Sequence, residues 1–339
     1  MKKLTTLLAA FLFTAGMAFA QSNNANVNQS GSDMTVNVEQ VGKSNIVDFI
    51  QREFVGGTAH TANIFQSGKE NKADVLSQGS FNANDVQLNQ VGTSNNAVIA
   101  QMHGGNKATV SQEGELNKTN LQHRGSTNSE ATIAQMGDEN EANIRDGGQG
   151  NPASNVNSFA LITQEGIGHF ADITQRGSNN TASILQSFGS DDHTQEQEGI
   201  GNSAEVRSFG GSNTGLQTQD GDGNISQLNQ SGGFLATMTQ DGNDNIARLR
   251  QSDGSGSTAL IEQFSNGNTI GADQQGSDNT LTVFQDGIGN SAGSDWWSNP
   301  GIIQNGDLNT ATLSQTGDYN TASIMQTGNG NTSTVTQSN

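Results

Sequence analysis

Apolar and polar residues alternate along short segments that recur about every eleven residues. In the C-terminal part of the chain, Asn320, Ala322, Ile324 and Gln326 fall on one face of a two-residue period, with Thr, Ser and Met between them. This period is typical of a β-strand with two distinct faces. A helix is excluded because apolar residues do not recur at i, i+3, i+4 and i+7. The intervening Q-x-G-x-x-N segments supply Gly and Asn, which favour tight turns. Each unit is therefore predicted to be one strand and one turn.

The repeating unit reads Q-x-G-x-x-N-x-A-x-h-x, where h is apolar, and it can be followed through most of the chain. It gives 27 anchor positions, of which 24 are Gln and the exceptions are His123, Asp146 and Ser208. Eighteen of the 26 intervals between anchors are eleven residues long, and Val, Ile or Leu stands two positions before 22 of the anchors. The anchors are residues 29, 40, 51, 66, 78, 90, 101, 112, 123, 135, 146, 164, 175, 186, 197, 208, 219, 230, 240, 251, 263, 274, 285, 304, 315, 326 and 337.

Strands of constant length and sequence predict an all-β fold, a β-solenoid of about 13 two-stranded rungs. Two units, about 22 residues, would form one rung, and stacking in register would lay Gln over Gln, Asn over Asn and Ile over Val. Such ladders stabilise cross-β structures. At a spacing of about 4.8 Å between rungs, the solenoid would be a rod on the order of 60 Å long.

Three groups of residues are predicted to carry this architecture. The Gln ladder comprises Gln29, Gln40, Gln90, Gln101, Gln112, Gln164, Gln175, Gln186, Gln219, Gln274, Gln304, Gln315, Gln326 and Gln337. The Asn ladder comprises Asn45, Asn95, Asn106, Asn180, Asn202, Asn224, Asn279, Asn309, Asn320 and Asn331. The turn glycines are Gly42, Gly92, Gly166, Gly177, Gly199, Gly221, Gly306, Gly317 and Gly328.

Three insertions interrupt the register, at residues 52–65, 147–163 and 286–303. The two prolines and two tryptophans of the chain lie in the last two, and the Trp296-Trp297 pair lies in the third. Insertions in repeat arrays map to loops, so each is expected to bulge from a turn between rungs. The alternative is a contact site, since exposed aromatic residues suit interfaces.

Composition alone would favour disorder. Leu, Ile, Val and Phe together make up 66 of 339 residues, Asn and Gln make up 73, and the net charge is −19. Low hydrophobic content with high net charge usually indicates a disordered chain. The register changes this interpretation, because stacked Asn and Gln side chains can satisfy one another in a core.

Residues 1–20 are predicted to be a signal peptide, and residues 21–339 the repeat domain. Lys2 and Lys3 precede an apolar run that ends in Ala18-Phe19-Ala20, and this order is typical of secretory signals. The run is too short to span a bilayer, and no other stretch is long and apolar enough. The acidic balance disfavours nucleic acid as a partner, and the absence of Cys excludes a disulfide framework.

No catalytic, cofactor or metal site is predicted. His60 falls in an insertion and His103 in a turn, whereas His123, His169 and His193 fall in Gln, Asn and Ala positions. Their spacing matches no metal motif, so they are interpreted as tolerated substitutions. The Gly-Ile-Gly-Asn segment at 199–202 lacks the third glycine of a dinucleotide fingerprint and is interpreted as a turn.

Two acidic segments, 220–224 and 241–245, resemble the start of a calcium loop. Ser231 and Ser252 stand where the bidentate Glu is required. The turn acids are therefore expected to keep the rod soluble and to slow its pairing. Outward positions rich in Thr, such as Thr332, Thr334 and Thr336, leave open a soluble solenoid with an ice-binding or adhesive face.

The unit resembles the curlin repeat, S-x5-Q-x-G-x-x-N-x-A-x3-Q. Residues 309–326 match its Q-x-G-x-x-N-x-A-x3-Q portion, and residues 164–186 contain two successive copies. The resemblance extends over about 23–339. It implies a subunit of a functional amyloid, exported through an outer-membrane channel and assembled on a Gram-negative cell surface into biofilm fibres. Typical curlins have about five repeats and a non-repeat export segment, whereas this register begins at about Asn23.

The sequence thus predicts a secreted structural subunit that polymerises end to end through rungs at 23–51 and 309–337, because repeats reach both ends without caps. The partners implied are further copies of the chain, a nucleator curlin and a curli secretion channel. A nucleating minor subunit remains the alternative within the same family.

Overall fold

A computed structural model describes residues 22–31, 33–53, 60–79, 82–147, 155–295 and 297–339. The predicted signal peptide lies outside the described residues, as do residues 54–59 and 148–154 in the first two predicted insertions and Trp296 in the third.

The described chain is all β and coils into a β-solenoid of about 13 turns, which confirms the predicted fold class. It contains no helix long and apolar enough to cross a membrane within these residues. The strands are β1 Asn24–Ser30, β2 Thr35–Lys43, β3 Ile46–Glu53, β4 Thr61–Lys69, β5 Lys72–Gly79, β6 Asp85–Thr93, β7 Asn96–Met102, β8 Lys107–Glu115, β9 Lys118–His123, β10 Ser126–Thr127, β11 Glu130–Asp138, β12 Glu141–Asp146, β13 Asn155–Val156, β14 Phe159–Ile167, β15 Phe170–Ser178, β16 Thr181–Ser187, β17 Asp192–Ile200, β18 Ser203–Phe209, β19 Thr214–Asp220, β20 Ile225–Asp241, β21 Ile246–Phe264, β22 Thr269–Gln275, β23 Thr280–Asp286, β24 Ser291–Ala292, β25 Ile302–Asn305, β26 Thr310–Thr316, β27 Ile324–Thr327 and β28 Thr332–Ser338.

Apart from the two-residue strands β10 and β13, which pair with each other and belong to neither column, successive strands alternate between two facing columns. Within each column every strand pairs in parallel with the strand one rung away. The long strands β20 and β21 run through a turn, so the first half of each belongs to the second column and the second half to the first. The first column is β1, β3, β5, β7, β9, β12, β15, β17, β19, β20, β21, β23, β26 and β28. The second column is β2, β4, β6, β8, β11, β14, β16, β18, β20, β21, β22, the split strand β24–β25 and β27.

The register places equivalent side chains over each other along the axis. Between β16 and β18, Ala182 pairs with Ala204 and Ile184 with Val206. These side chains point inward and are buried, and the same alternation of buried and partly exposed residues recurs in most of the strands. The core is therefore a thin column of Ala and aliphatic side chains, and each rung covers only its neighbours.

The turns depend on glycine because consecutive turns stack with little space between them. Gly199 has a φ of +117°, and a Cβ atom there would overlap with the carbonyl group of Gly221 one rung away. Gly201, in the same turn, has a φ of +73° but faces open space. Of these two glycines, only Gly199 therefore has both a backbone conformation unfavourable to other residues and no space for a side chain.

Two positional predictions are wrong. Gln78 was assigned as an anchor, but Ser77 pairs with Gln51 and Gln101 in the ladder, and Gln78 lies on the outward face. His60 was placed in an insertion, but it occupies the Asn position before β4, where its Nδ1 accepts the backbone N–H of Asn84 at 2.9 Å.

The prediction that the third insertion bulges from a turn is wrong. The preceding turn through Gly289 is regular, and the chain leaves the strand at Gly293 and returns at Gly301. β24 and β25 therefore continue one strand, and both pair with β22. Gly271 of β22 permits this arrangement, since a side chain there would overlap with the backbone of Asp295.

We expect Gly199→Ala to lower the stability of the folded chain far more than Gly201→Ala. Gly201→Ala, the control, should lower the free energy of unfolding by about 1–2 kcal/mol, which is the cost of placing an L-residue in the left-handed region. Gly199→Ala adds the overlap with Gly221, so its loss should exceed the control's by at least about 2 kcal/mol. Equal shifts in the midpoint of chemical denaturation would contradict the stacked-turn geometry.

Candidate functional site: stacked amide ladders and open strand edges

Most of the buried ladder Gln residues use both hydrogens of the side-chain amide, and Gln197 shows how. The Nε2 of Gln197 donates to Oε1 of Gln219 in the next rung, at 2.8 Å, and to the backbone carbonyl of Thr181 in the facing column, at 3.0 Å. Its Oε1 accepts from Gln175 at 2.9 Å. The amide therefore ties successive rungs together along the axis and also joins the two columns across the core.

This bonding continues over long stretches of both columns. In the first column it joins Gln29 to Gln51, and then runs through Gln175, Gln197, Gln219, Gln240, Gln263, Gln285, Gln315 and Gln337. In the second column it runs through Gln40, Gln66, Gln90, Gln112, Gln135, Gln164 and Gln186, and then through Gln230, Gln251, Gln274, Gln304 and Gln326. Gln101 bonds instead to the backbone carbonyls of Asp85 and Asn106.

A second ladder of Asn side chains closes the turns. The backbone N–H of Asn202 donates to Oδ1 of Asn180 in the preceding rung at 3.0 Å. Its own Nδ2 donates to the carbonyls of Glu198 in the same turn, at 3.0 Å, and Gly221 in the next turn, at 2.7 Å. The Oδ1 of Asn202 accepts the backbone N–H of Asn224 in the next rung at 2.9 Å. One side chain thus satisfies three backbone groups that the sharp turn leaves without strand partners.

The remaining predicted Asn and Gly residues occupy equivalent positions. The backbone N–H groups of Asn45, Asn95, Asn106, Asn224, Asn309, Asn320 and Asn331 donate to the residue at this position in the preceding rung, and Asn279 donates to Ser257. Positive φ angles are found at Gly42, Gly92, Gly166, Gly177, Gly199, Gly221, Gly306, Gly317 and Gly328.

The Gln ladder is interrupted where other residues take its positions. Ser77 is too short to reach Gln51, whose buried Nε2 has no hydrogen-bond partner among the described residues. Ser208 similarly separates Gln186 from Gln230. His123 and Asp146 occupy two successive rungs of the first column, which makes them the largest chemical change in either ladder.

His123 and Asp146 form a buried pair. The Nε2 of His123 lies 3.8 Å from Oδ2 of Asp146, and the two side chains are 0% and 2% exposed. Burial lowers the pKa of His123 to about 3 and raises the pKa of Asp146 to about 7. From about pH 4 to 6.5 the two side chains together carry one proton in the folded chain. They also carry one proton together in the unfolded chain over this range.

The other histidines also replace repeat residues. His169 stands at an Asn position, donates its backbone N–H to Asn140, and accepts the N–H of Asp191 at its Nδ1 at 3.2 Å. His193 stands at an Ala position beside Gly215, where a side chain would overlap with the imidazole. No group of three or more His, Asp or Glu side chains suited to a metal ion occurs in the described part of the chain.

The turn acids have a structural role that the sequence did not reveal. Oδ1 of Asp222 accepts the backbone N–H of Ile200 at 2.7 Å, and Oδ1 of Asp318 accepts that of Ile288 at 2.9 Å. Asp138 and Asp307 bond to the preceding turn in the same way. The only sequence signal is the recurrence of Asp or Asn directly after the turn glycine, which forms a third, outer ladder.

The loop at 293–301 is fixed on the outward face of the second column. The Ser298 hydroxyl donates to Oδ2 of Asp295, and the backbone N–H groups of Ser298, Trp297 and Asn299 donate to its Oδ1. These bonds, with that of the Ser298 hydroxyl the largest cause, hold the pKa of Asp295 below its usual range. The Arg250 guanidinium lies 5.8 Å from the ring centroid of Trp297 and pairs with Asp273. Trp297 is nevertheless 80% exposed.

The two ends of the rod present open strand edges. Among the described residues, β1 pairs only with β3 and β2 only with β4. At the other end, β28 pairs only with β26, and β27 pairs only with the split strand β24–β25. Unpaired edges of this kind are templates for another strand.

We expect Gln90→Leu to destabilise the folded chain by about 2–4 kcal/mol. The substitution removes a bond to Gln112 and one to the Lys72 carbonyl, and it leaves the Gln66 amide without its acceptor, and each unsatisfied buried group costs about 1–3 kcal/mol. Gln87→Leu in the same strand is the matched control, because Gln87 is exposed. If Gln87→Leu lost as much free energy of unfolding as Gln90→Leu in chemical denaturation, the stabilising role of the Gln ladder would be refuted.

We expect Asp146→Asn and His123→Gln to change the pH dependence of stability in opposite directions. The raised pKa of Asp146 stabilises the fold below about pH 4 and loses this contribution as the pH rises through 7. The lowered pKa of His123 stabilises the fold above 6.5 and loses it as the pH falls through 3.

Between pH 4 and 6.5, Asp146→Asn should therefore gain stability relative to the wild type as the pH rises, by up to about 1.4 kcal/mol per unit. His123→Gln should lose stability relative to the wild type by a similar amount. Denaturation midpoints measured at half-unit pH intervals check both slopes, and parallel profiles for the two variants and the wild type would contradict the buried pair.

The repeat is recognised by comparison with known proteins. The family model of the curlin associated repeat matches residues 82–114, 156–187, 170–195, 276–317 and 306–338. No curated protein sequence matches the chain. The matched segments include the Q-x-G-x-x-N turns and the strands whose Gln and Asn side chains form the ladders. The chain is a curlin-repeat protein.

Proposed function

We propose that the chain is a secreted structural subunit that self-assembles into extracellular curli-like amyloid fibres for biofilm matrix, adhesion and cell aggregation. The observation that carries this proposal is the pair of open edges, β1–β2 at one end of the rod and β27–β28 at the other. Curlin repeats support a subunit of curli-type fibres, and the edges provide the means of joining subunits.

The edges match each other in side chains as well as in backbone. The inward positions of β1 and β2 carry Ala25, Val27 and Gln29 and then Val36, Val38 and Gln40. Those of β28 carry Ser333, Val335 and Gln337. A second copy added at an edge would therefore continue the apolar column and the Gln ladder with the chemistry of the interior rungs.

Export is part of the same proposal. Residues 1–20 would direct the chain to the periplasm, and a curli-type outer-membrane channel would deliver it to the surface of a Gram-negative cell. A nucleator curlin is a further proposed partner, and the chain itself as a minor nucleating subunit is the alternative role. The net charge of −19 supports a chain that stays soluble until rungs stack.

The direct test is assembly of the chain without residues 1–20. We expect unbranched fibres in negative-stain micrographs, a thioflavin signal and a diffraction reflection at about 4.7–4.8 Å. A protein that stays monomeric for days without these signals would rule the proposal out. Thermal hysteresis of ice growth without fibres would favour the soluble Thr-rich alternative.

We expect Thr334→Pro to slow fibre elongation by about fivefold or more. In each strand, the residues with outward side chains direct their backbone N–H groups to the following rung, as Thr310 does to the Asn331 carbonyl. Thr334 is such a residue in the last strand, so its N–H faces the open edge. Its loss removes one edge hydrogen bond, worth about 1 kcal/mol, while pairing with β26 is kept. Thr334→Val retains the N–H and is the control. Equal elongation rates in seeded thioflavin assays would show that β28 is not a growing edge.

A further inference from the structure

The two columns of the rod are unequal in the described part of the chain. The first column contains fourteen strands and the second contains thirteen, counting β24–β25 as one strand. β1 and β28 both lie in the first column, while β2 and β27 lie in the second. Each end of the rod is consequently a step, with one strand standing beyond its neighbour.

The height of this step follows from the path of the chain. The two arcs of a rung are equivalent, since Gln186 bonds to the Phe170 carbonyl of the strand before it and Gln197 bonds in the same way to the Thr181 carbonyl. Each successive strand therefore lies about half a rung further along the axis than the one before it. After β28 in the first column, the next free level lies directly over β27 in the second column. The level over β28 comes half a rung later.

We propose that successive copies in the fibre are rotated by half a turn about its axis, so that β1 of one copy pairs with β27 of the preceding copy and β2 pairs with β28. This inference rests on the proposed end-to-end assembly. The half turn is required because β1 belongs to the first column and β27 to the second, so the columns exchange at every junction.

The rotation is compatible with the core because the two columns have the same inward pattern. β15 in the first column places Ala171, Ile173 and Gln175 inward, and β16 in the second column places Ala182, Ile184 and Gln186 inward. At the junction, the first column of one copy would be continued by the second column of the next copy. Because the two columns share one inward pattern, the stacked side chains would be of the same types as within a single column.

Aligning the Gln residues across the junction gives a matched register. Over β27, Val27 falls on Ile324 and Gln29 falls on Gln326, and over β28 Gln40 falls on Gln337. Where the interior ladder is continuous, Nε2 donates to the Gln of the next rung toward the C-terminus, as Gln304 does to Gln326 and Gln315 to Gln337. Gln326 and Gln337 would continue this order into Gln29 and Gln40 of the next copy.

An unrotated copy would fit less well. Placing β1 over β28 leaves the level over β27 empty, so a gap of one strand separates β27 from β2 of the next copy. The backbone groups of both edges and the Gln326 amide would then lose the partners that interior rungs have. Each such group would be destabilising wherever it is shielded from water.

Disulfide cross-linking distinguishes the two arrangements, and the chain has no native Cys. Asn28, Glu39, Met325 and Thr336 are exposed outward residues. The rotated junction brings Asn28 over Met325 and Glu39 over Thr336, with Cα atoms about 4.8 Å apart, which is within disulfide range. The unrotated junction brings Asn28 over Thr336 instead. All three pairs lie at opposite ends of one rod, so any cross-link joins two copies.

The double variants N28C/M325C, E39C/T336C and N28C/T336C are assembled under reducing conditions, checked for fibres, oxidised, and dissolved for non-reducing electrophoresis. We expect the first two to give ladders of covalent multimers that comprise most of the protein, and the third and the single variants to give monomer. Multimers from N28C/T336C alone, or from no pair in well-formed fibres, would overturn the half-turn junction. Failure of the wild-type chain to form fibres would instead refute the proposed function.

Discussion

The hydrogen bonds of the buried Gln amides are the constraint on which the other features of the rod depend. An amide buried in this thin core must satisfy two N–H donors and a carbonyl, and in most rungs its partners are a Gln in the neighbouring rung and a carbonyl in the facing column. Gln197 meets all three requirements through Gln175, Gln219 and Thr181. This fixes the parallel orientation, the register within each column and the separation of the two columns. The apolar column fills the space that these bonds define.

Because the inward register is fixed, most of the variation between rungs falls at outward positions. Outward residues include Lys, Arg, Asp and Glu in many rungs, and their pairs, such as Lys107 with Glu130, lie on the surface and contribute little to stability. The 293–301 loop obeys the same rule, since it leaves and re-enters a strand at an outward position and keeps Ala292 and Ile302 in the core.

The period of the sequence was sufficient to predict the solenoid and the number of rungs, because each unit repeats the inward pattern. It could not identify Ser77 as the ladder residue, since the neighbouring Gln78 has the usual anchor side chain and leaves intervals of 12 residues to the anchors on either side. Only the pairing with the neighbouring strands selects Ser77. Spacing likewise reveals the length of an insertion but not where it leaves the strand, which depends on Gly271. The contact between His123 and Asp146 requires two residues 23 positions apart to share a column, and this follows only from the coiled structure.

The ladders also give the rod a direction. Gln side chains donate toward the C-terminal end, as Gln219 does to Gln240, whereas the backbone N–H groups of Asn donate toward the N-terminal end, as Asn224 does to Asn202. The two ends are therefore complementary to each other and not to themselves. A contact between two C-terminal ends would oppose the Nε2 donors of Gln326 and Gln337 and reverse the parallel strand order. Head-to-tail addition preserves both ladders, so the chemistry that stabilises one rung also specifies how the next copy must approach.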